Sequence, residues 1–407
     1  MWFSEASSTQ KRTLLAASLG WMLDSMDILL YSMVLAYMMR DLGMMEGTAG
    51  LMASLTLGAS ALGGILFGIM ADRWGRTRAL MTSILCYSLF TAACGLAQNI
   101  AQLAAFRILL GLGMGGEWAC GAALVAETWP ARHRGKALGI MQSSWAVGYG
   151  LAAALTAIVL PRFGWRAVFF AGIVPALITF WIWRYVPEPE IWLRSNRDAE
   201  SITFARRFSD FWHSQHRRHF IVATSANAGT MFAWWGLFTW IPAYLSLPHE
   251  RGGAGLGILR TSTWIILMQV GMWAGYVSFG YISDRIGRKT SYVGYIFVAA
   301  GLVPVYAATR DPTWLLLVGP LVGFFGTGYF SGFGTITAEM FPTAIRASAQ
   351  GLAYNLGRGL SAAAPFLVGA LGSQRGLGFA FRLTAVSFFA AGLIALLLPE
   401  TRGRELE

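Results

Sequence analysis

Five ionisable side chains stand inside long apolar stretches of this sequence, and they are the residues best placed to do chemistry. The acids are Asp24, Asp27 and Glu117, and the bases are Arg107 and Arg358. A charged side chain buried in a membrane costs several kcal/mol unless it is paired or hydrated, so such residues usually mark the path of an ion or a substrate. A carboxyl group can bind and release a proton, and a guanidinium group can hold a carboxylate through two parallel hydrogen bonds.

The acids are the candidates for proton binding. Asp24 and Asp27 are three residues apart, which places them on one face of a helix. At a rise of about 1.5 Å per residue, Asp27 and Arg107 lie at a similar depth in their helices. If those helices are neighbours, the pair can act as a proton switch, because the arginine stabilises the carboxylate only while the two are in contact. Glu117 is the next candidate. The alternative is that these residues form fixed hydrogen bonds or ion pairs between helices.

Arg358 is the candidate for binding a substrate anion. It lies near the middle of its apolar stretch, and the second half of the chain offers no evident acid to neutralise it. We therefore expect a substrate carboxylate as its partner, and the alternative partner is an acid of the first half. Other polar side chains could complete the site, and aromatic ones could form its walls, although aromatic residues of membrane proteins more often face lipid. These further candidates are Asn355, Tyr354, Gln269, Gln142, Trp145, Trp234, Trp235 and Tyr329.

The sequence carries no recognisable catalytic motif. It has no phosphate-binding loop with its lysine, and no HExxH, GxSxG or EF-hand pattern in a suitable context. The three cysteines, Cys86, Cys94 and Cys120, lie in apolar stretches without the spacing of a metal site or a disulfide framework. We expect no enzyme activity, no metal and no cofactor. The expected energy source is an ion gradient, with protons as the coupling ion.

The apolar stretches themselves indicate a membrane protein. Hydrophobic residues make up 56% of the 407 residues and charged residues only 13%, a composition that is unusual for a soluble protein. A stretch of about 20 apolar residues can span a bilayer as a helix. We predict twelve such helices, at roughly 13–37, 48–70, 79–97, 101–125, 137–160, 166–184, 219–246, 258–283, 290–309, 313–338, 346–371 and 378–399.

The polar segments predict the orientation and the domains. The net charge is +11, but Lys and Arg fall mainly in short loops on one side of the predicted helices, so the charge indicates membrane topology and not a nucleic-acid partner. An even number of helices puts both termini on one side, and the excess of Lys and Arg on that side identifies it as cytoplasmic. The first hydrophobic stretch reads as a retained helix, since it lacks the pattern of a cleaved signal peptide. The predicted domains are a six-helix bundle at 1–185, a cytoplasmic linker at 186–218 and a second six-helix bundle at 219–407.

One short polar sequence motif occurs twice, at the same point of the two halves. Gly68-Ile-Met-Ala-Asp72-Arg73-Trp-Gly75-Arg76 is repeated as Gly280-Tyr-Ile-Ser-Asp284-Arg285-Ile-Gly287-Arg288. Each copy stands between the second and third predicted helices of its half, so the chain is built as two related bundles, an arrangement typical of transporters. We expect the charges of these loops to hold one side of the protein closed. The residues with this gating role are Asp72, Arg73, Arg76, Asp284, Arg285 and Arg288, with Glu127 and Glu339 as partners.

At these loops the chain resembles the major facilitator superfamily, whose second and third helices are joined by the pattern Gly-x-x-x-Asp-Arg-x-Gly-Arg-Arg/Lys. The resemblance implies an all-α membrane protein of twelve transmembrane helices in two pseudo-symmetric six-helix bundles, which works by alternating access. Further segments resemble the Arg-x-x-x-Gly-x-Gly motif of this family and the ends of each half in its sugar and organic-acid porters. These segments are Arg107-Ile-Leu-Leu-Gly111-Leu-Gly113, Pro187-Glu188-Pro189-Glu190 and Pro399-Glu400-Thr401.

Three motifs are most similar to the proton-coupled organic-acid groups of this superfamily, namely the sialate and lactate permeases, the aromatic-acid permeases and the metabolite symporters. They are Gly20-Trp21-x-Leu23-Asp24-x-x-Asp27, Gly115-Gly116-Glu117-Trp118 and Glu127-Thr-Trp129-Pro130-x-x-x-Arg134-Gly135-Lys136-Ala137. The resemblance implies proton-coupled symport of a small organic acid anion. The typical sialate permease has an extra pair of membrane segments, for which this chain has no room, so a monocarboxylate or an aromatic acid is favoured over sialic acid.

Two other functions stay open at this point. A proton antiporter that exports drugs or metabolites is disfavoured for cationic cargo, because Arg358 would repel it. A nutrient sensor that does not transport is disfavoured because no signalling domain is evident. We expect a multi-pass protein of the inner (plasma) membrane that contacts the lipid bilayer, takes a small organic anion as its substrate, binds no nucleic acid and works as a monomer.

Overall fold

The computed structural model describes residue 3 and residues 5–195, 217–341 and 343–402, and every regular element in this part of the chain is helical. An apolar segment in lipid has no water to satisfy its backbone N–H and C=O groups, and a helix satisfies them within one segment. The all-α fold class predicted from the sequence is confirmed.

Six helices form the first half and match the first six predicted segments. They are α1 (Ser8–Asp41), α2 (Glu46–Trp74), α3 (Arg76–Cys94), α4 (Ile100–Thr128), α5 (Ala131–Phe170) and α6 (Val174–Tyr185), with a short 3₁₀ helix at Ala171–Ile173. Ser7 begins α1 with a reciprocal capping box to Gln10, and Asn99 caps α4. α5 contains Pro161 and breaks at Gly164, whose φ is 75°, so its last residues already belong to the sixth predicted segment.

The second half supplies the other six predicted segments, three of which are each divided into two helices. Its helices follow α7 (Glu190–Ser195), a short helix in the predicted linker, most of which falls at 196–216, outside the described residues. Pro242 and Pro365 stand in the first turns of α9 and α15, where a missing N–H costs no hydrogen bond. The helices are α8 (Arg217–Phe238), α9 (Ile241–Ser246), a 3₁₀ helix at His249–Arg251, α10 (Ile258–Ile286), α11 (Arg288–Ala308), α12 (Pro312–Gly328), α13 (Phe330–Met340), α14 (Thr343–Ser361), α15 (Ala364–Arg375) and α16 (Leu377–Ala395).

Eight helical stretches among the described residues are long and apolar enough to cross a membrane. α14, which is not one of them, carries Asn355 and Arg358. Large apolar side chains lie on the outer surface, where Leu177 is 74% exposed and Phe180 is 70% exposed. A surface of this kind is expected where helices face lipid and not water.

Glycines bring α2 and α4 into backbone contact. A methyl group added at Gly63 would overlap the carbonyl oxygen of Leu112, and one added at Gly115 would overlap that of Ser60. Only glycine permits this approach, because any side chain would hold the helices apart. α4 carries Arg107 and Glu117, so the contact also fixes two of the candidate residues.

The two halves pack closely at one end of the molecule, where α1 ends and α2 begins. There the backbone of α2 at Gly50 lies directly against Pro365, at the start of α15. We refer to this as the closed end. Three direct polar contacts between the halves lie on this side. They join the Arg251 guanidinium to Glu46 at 2.9 Å, the Phe366 N–H to Ser54 Oγ at 3.1 Å, and the Tyr149 hydroxyl to the Phe238 carbonyl at 3.0 Å.

Gly63→Ala should lower the thermal stability of the protein. The added methyl group meets the backbone of α4, which cannot move aside without separating the helices, and such overpacking costs about 1–3 kcal/mol. Gly68→Ala is the matched control in the same helix, because a methyl group at Gly68 has no atom within 4 Å. The midpoint of thermal unfolding in detergent should fall by several degrees for the first variant and stay near the wild-type value for the second. Equal midpoints would contradict the assigned packing.

Candidate functional site

A group of three buried charges meets where the two halves face each other. Arg358 of α14 lies within electrostatic reach of Asp24 of α1 and Glu117 of α4, and none of the three is more than 2% exposed. Arg358 forms no ion pair with either acid: its Nη2 donates to the Tyr354 hydroxyl at 3.4 Å, and its Nε has no partner. We call these residues the central charge cluster. The acids of the first half, the alternative partners considered from the sequence, therefore face Arg358 across a gap wider than an ion pair.

Asp27 and Arg107 do not form the ion pair expected from their similar depth. The Arg107 guanidinium lies over the ring of Tyr31, 4.2 Å from its centroid, and Cys94 is the neighbour that the two charges share. Asp27 turns towards α3 and the 3₁₀ helix at Ala171–Ile173, and Thr91 of α3 is beside it. The depth of a residue along a helix does not determine the direction in which its side chain points around the helix axis. Asp24 and Asp27, which are three residues apart, still point about 60° away from each other. Asp27 and Arg107 thus lie inside the first half, away from Arg358.

Glycine at position 20 makes room for the Glu117 carboxylate. A methyl group at Gly20 would overlap Oε1 of Glu117, so the absence of a side chain on α1 lets this acid approach. The hydroxyl of Tyr87, on α3, donates to the carbonyl oxygen of Gly20 at 3.4 Å. Sequence reasoning did not single out Tyr87, because a tyrosine in an apolar helix carries no distinctive signal.

Tryptophans from both halves form an aromatic wall. Trp145 of α5 lies 4.5 Å from Trp21 of α1 between ring centroids, 5.9 Å from Trp234 and 6.2 Å from Trp235 of α8. Trp21 stands one helical turn before Asp24, so the wall reaches the central charge cluster. The structure brings together the three tryptophans expected from the sequence and adds Trp21, which had been noted only as part of a motif.

A second aromatic contact joins the halves beside Arg358. Trp118 of α4 stacks on Tyr354 of α14 with ring centroids 4.2 Å apart. The Trp118 Nε1–H donates to Oε1 of Gln142 at 3.3 Å. Trp118 follows Glu117 directly, and Tyr354 precedes Arg358 by one turn. Tyr354 and Gln142, both predicted to line the site, therefore lie at its edge.

One buried polar side chain of the second half that faces the first half has no hydrogen-bond partner. Neither amide atom of Gln269, on α10, is satisfied, although the side chain is buried facing Gly150 of α5. Buried polar groups are normally hydrogen-bonded, so unsatisfied ones suit a place where a ligand or water binds. No group of His, Cys, Asp and Glu side chains that could hold a metal ion is found within the described ranges.

Two residues predicted for the site lie elsewhere. Asn355 faces the first half at Gly64 of α2, and its Nδ2 donates to the Gly351 carbonyl at 3.0 Å. Adjacent residues of a helix point about 100° apart, so Asn355 does not share the direction of Tyr354. Tyr329 lies inside the second half, where its hydroxyl donates to the Thr230 carbonyl at 3.3 Å. Neither side chain reaches the central charge cluster.

Each repeated loop is held by a glutamate from the end of its own half. Gly75 and Gly287 turn the chain with φ values of 115° and 110°, which favour glycine. Glu188 accepts the backbone N–H groups of Thr77 and Arg78 at 3.1 Å, and Glu400 accepts that of Arg288 at 2.8 Å. A carboxylate at a helix N-terminus satisfies free N–H groups and interacts favourably with the helix dipole.

The loop arginines form ion pairs within their own halves. Arg76 contacts Glu127 at 3.0 Å, and Arg288 contacts both Glu339, at 3.5 Å, and Asp284. Arg73 and Arg285 are exposed and have no ion-pair partner among the described residues. The side chain of Asp72 lies outside the described residues. These contacts join helices of one bundle, so the predicted gating role requires the bundles to move as units.

Comparisons with known proteins agree along nearly the whole chain. The family model described as Major Facilitator Superfamily matches residues 15–278 and 254–406. A protein named as a probable 4-methylmuconolactone transporter of Cupriavidus pinatubonensis is 34% identical, covering 100% of this chain and 94% of its own length. The cis,cis-muconate transport protein of Acinetobacter baylyi is 31% identical, with 97% and 95% covered. The crystal structure of a D-xylose–proton symporter has the same fold, with a TM-score of 0.76 at 18% identity and 98% and 100% covered.

Glu400→Gln should make the stability of the protein less dependent on acid pH. Burial raises the pKa of the Glu400 carboxyl, but hydrogen bonds from the N–H groups of Arg402, Arg288 and Thr401 outweigh it and hold the pKa below its ordinary value of 4.5. A lowered pKa stabilises the fold above the unfolded-state pKa, and this stabilisation is lost as the pH falls through the folded-state pKa. We expect wild type to unfold at a higher temperature than the variant at neutral pH and to lose this advantage below about pH 4.5. Glu250→Gln, at an exposed position of the 3₁₀ helix His249–Arg251, is the control, and parallel pH profiles for all three proteins would contradict the capping role.

Proposed function

This chain belongs to the Major Facilitator Superfamily, and we propose that it imports a small organic acid anion together with protons. It is a multi-pass membrane transporter and not an enzyme. The observation that carries the proposal is the central charge cluster, in which one arginine of the second half faces two acids of the first. Such an arrangement can bind a substrate anion, bind protons and respond to the relative position of the halves.

Arg358 supports binding of a carboxylate. Its guanidinium group is buried, its Nε has no partner, and it lies beside neutral aromatic rings. Asp24 and Glu117 compete with an incoming carboxylate for this one cation, because like charges repel strongly in a site of low dielectric constant. Protonation of the acids removes the competition, so the anion and the protons bind together.

The aromatic wall supports a flat, unsaturated or aromatic acid as the cargo. Tryptophan faces offer large apolar contact area, and a planar ring or conjugated chain can stack on them while its carboxylate reaches Arg358. The relatives named for muconate and a muconolactone carry compounds of this kind. A bulky polyhydroxylated acid such as sialic acid would leave hydroxyl groups against the tryptophan rings, so we place it lower.

The packing at the closed end supports a conformation in which the central charge cluster is closed off from the outside of the cell. If both termini are cytoplasmic, as the distribution of Lys and Arg favours, the closed end faces away from the cytoplasm. Alternating access then requires α2 to part from α14 and α15 while the loops at Gly75 and Gly287 hold each bundle together. We propose that this occurs in a single chain in the inner membrane. Export of cationic drugs is disfavoured by the positive charge of Arg358.

Uptake of benzoate or cis,cis-muconate into proteoliposomes should be driven by a pH gradient. We expect accumulation when the lumen is more alkaline than the medium, and a loss of about tenfold or more in Asp24→Asn and in Glu117→Gln, since each variant removes a group that exchanges protons. Glu250→Gln, which changes an exposed side chain of the 3₁₀ helix His249–Arg251, should accumulate the acid like wild type. Accumulation that ignores the pH gradient in wild type would rule out proton coupling.

Binding should depend on the guanidinium fork of Arg358. A panel of benzoate, cis,cis-muconate, lactate and sialic acid can be screened by thermal shift, since a ligand at about 100 times its Kd stabilises the folded state by about 2.7 kcal/mol. We expect benzoate or cis,cis-muconate to raise the unfolding temperature most, and Arg358→Lys to abolish that rise, because lysine lacks the planar fork. Arg382→Lys, on the exposed surface of α16, is the control. Shifts retained in Arg358→Lys would place the anion elsewhere.

A further inference from the structure

Tyr87 occupies the point where the three acids of the first half come together. Its side chain is fully buried on α3, and its hydroxyl lies within electrostatic reach of Asp24, Asp27 and Glu117. The same hydroxyl donates only a long hydrogen bond, 3.4 Å, to the carbonyl oxygen of Gly20. The Tyr87 hydroxyl therefore lies near all three carboxyl groups and forms no strong hydrogen bond to another group.

Two features bring the carboxyl groups to this hydroxyl. Glu117 packs its Oε1 against Gly20, the same residue that Tyr87 contacts, so both groups meet at one turn of α1. Asp24 and Asp27 follow on the same helix, one turn apart, and influence each other electrostatically. The three acids therefore form a continuous row through the first half.

The row lacks the donors that three carboxylates would need. Both oxygens of Glu117 and one of Asp24 are buried without a hydrogen-bond partner, and Asp27 has only the Thr91 hydroxyl beside it. The hydroxyl of Ser88, on the same helix as Tyr87, is also unsatisfied. Neighbouring carboxylates in a buried site cannot all be ionised, so the row holds at least one proton, and a hydroxyl between them can pass it on.

The ends of the row face different surroundings. Glu117 and Asp24 face Arg358 of the second half. Asp27 faces Thr91 and Cys94, and beyond Cys94 stands Arg107, which lies over Tyr31. One end of the row therefore responds to the substrate site, while the other lies wholly within the first bundle.

We propose that Tyr87 relays protons among Glu117, Asp24 and Asp27, so that protons move through the first half along a route separate from the substrate path. In each step a protonated carboxyl gives its proton to the tyrosine oxygen while the tyrosine O–H bond breaks and its proton passes to a second carboxylate. One proton moves, one carboxyl is deprotonated, another is protonated, and the tyrosine ends neutral. This inference rests on the proposed proton symport.

Tyr87→Phe tests the relay, because phenylalanine keeps the buried ring and removes only the hydroxyl. Full-length protein in proteoliposomes is assayed with radiolabelled benzoate and, separately, cis,cis-muconate. Accumulation driven by a pH gradient should fall about tenfold or more, while exchange of labelled for unlabelled acid at equal pH, which needs no net proton movement, should stay within about twofold of wild type. A pH-sensitive dye inside the vesicles should report fewer protons entering per acid molecule than in wild type.

Tyr306→Phe is the matched control. Tyr306 is a buried tyrosine whose hydroxyl also lacks a partner. It lies on α11 of the second half, whereas the three acids belong to the first half. It should behave like wild type in all three measurements. Because both variants keep the ring, their thermal unfolding midpoints should stay near that of wild type, which separates the relay from a loss of folding.

Three results would overturn the relay. Unchanged accumulation and proton entry in Tyr87→Phe would show that the hydroxyl is not on the route. Loss of exchange together with accumulation would make Tyr87 part of the substrate site or of the packing, and so would a large fall in the unfolding midpoint. Failure of the symport itself is a separate outcome, since it would appear as wild-type accumulation that is independent of the pH gradient.

Discussion

The balance of buried charge is the constraint on which the rest of this structure depends. Asp24, Asp27 and Glu117 supply three negative charges, and Arg107 and Arg358 supply two positive ones, all of them almost fully buried. An isolated ion in a medium of low dielectric constant is so costly that a group changes its protonation state instead. Fully ionised, the set carries one excess negative charge, which a bound proton removes. A substrate carboxylate adds another negative charge, which a further bound proton neutralises. Charge balance alone therefore couples binding of the anion to binding of a proton.

The fold positions these charges through contacts that lie within each bundle. Backbone contact between α2 and α4 fixes the helix that carries Glu117 and Arg107, and Glu188 and Glu400 fasten the repeated loops to the ends of their own halves. Direct polar contacts between the halves are few within the described residues, and three of them lie at the closed end. The structure thus combines two firmly held bundles with a weakly bonded boundary. That combination suits movement of one bundle against the other.

The sequence predicted the helices and the repeat well, because the length of each apolar stretch and the repeated polar loop can be read from the residues alone. It predicted which charges are buried for the same reason. It did not predict their partners: depth along a helix follows from counting residues, whereas direction around the axis depends on how the helix is turned by its neighbours. Asp27 and Arg107 therefore share a depth without pairing, Asn355 faces Gly64 rather than the cluster, and Tyr87 becomes important only because α1 and α4 place three acids around it.

The electrostatics across the halves can also decide which states of the site are allowed to reorient. With its acids ionised and no substrate bound, Arg358 is attracted to the first half, and its charge is compensated. Protonated acids without substrate leave Arg358 buried and uncompensated, which opposes closing around the site. Protonated acids with a carboxylate restore compensation. The Arg251–Glu46 ion pair at the closed end adds little to this choice, since the half-exposed Arg251 side chain leaves the pair accessible to water and such pairs are worth about 0–1 kcal/mol. The central charge cluster would then both select the cargo and prevent protons from crossing alone.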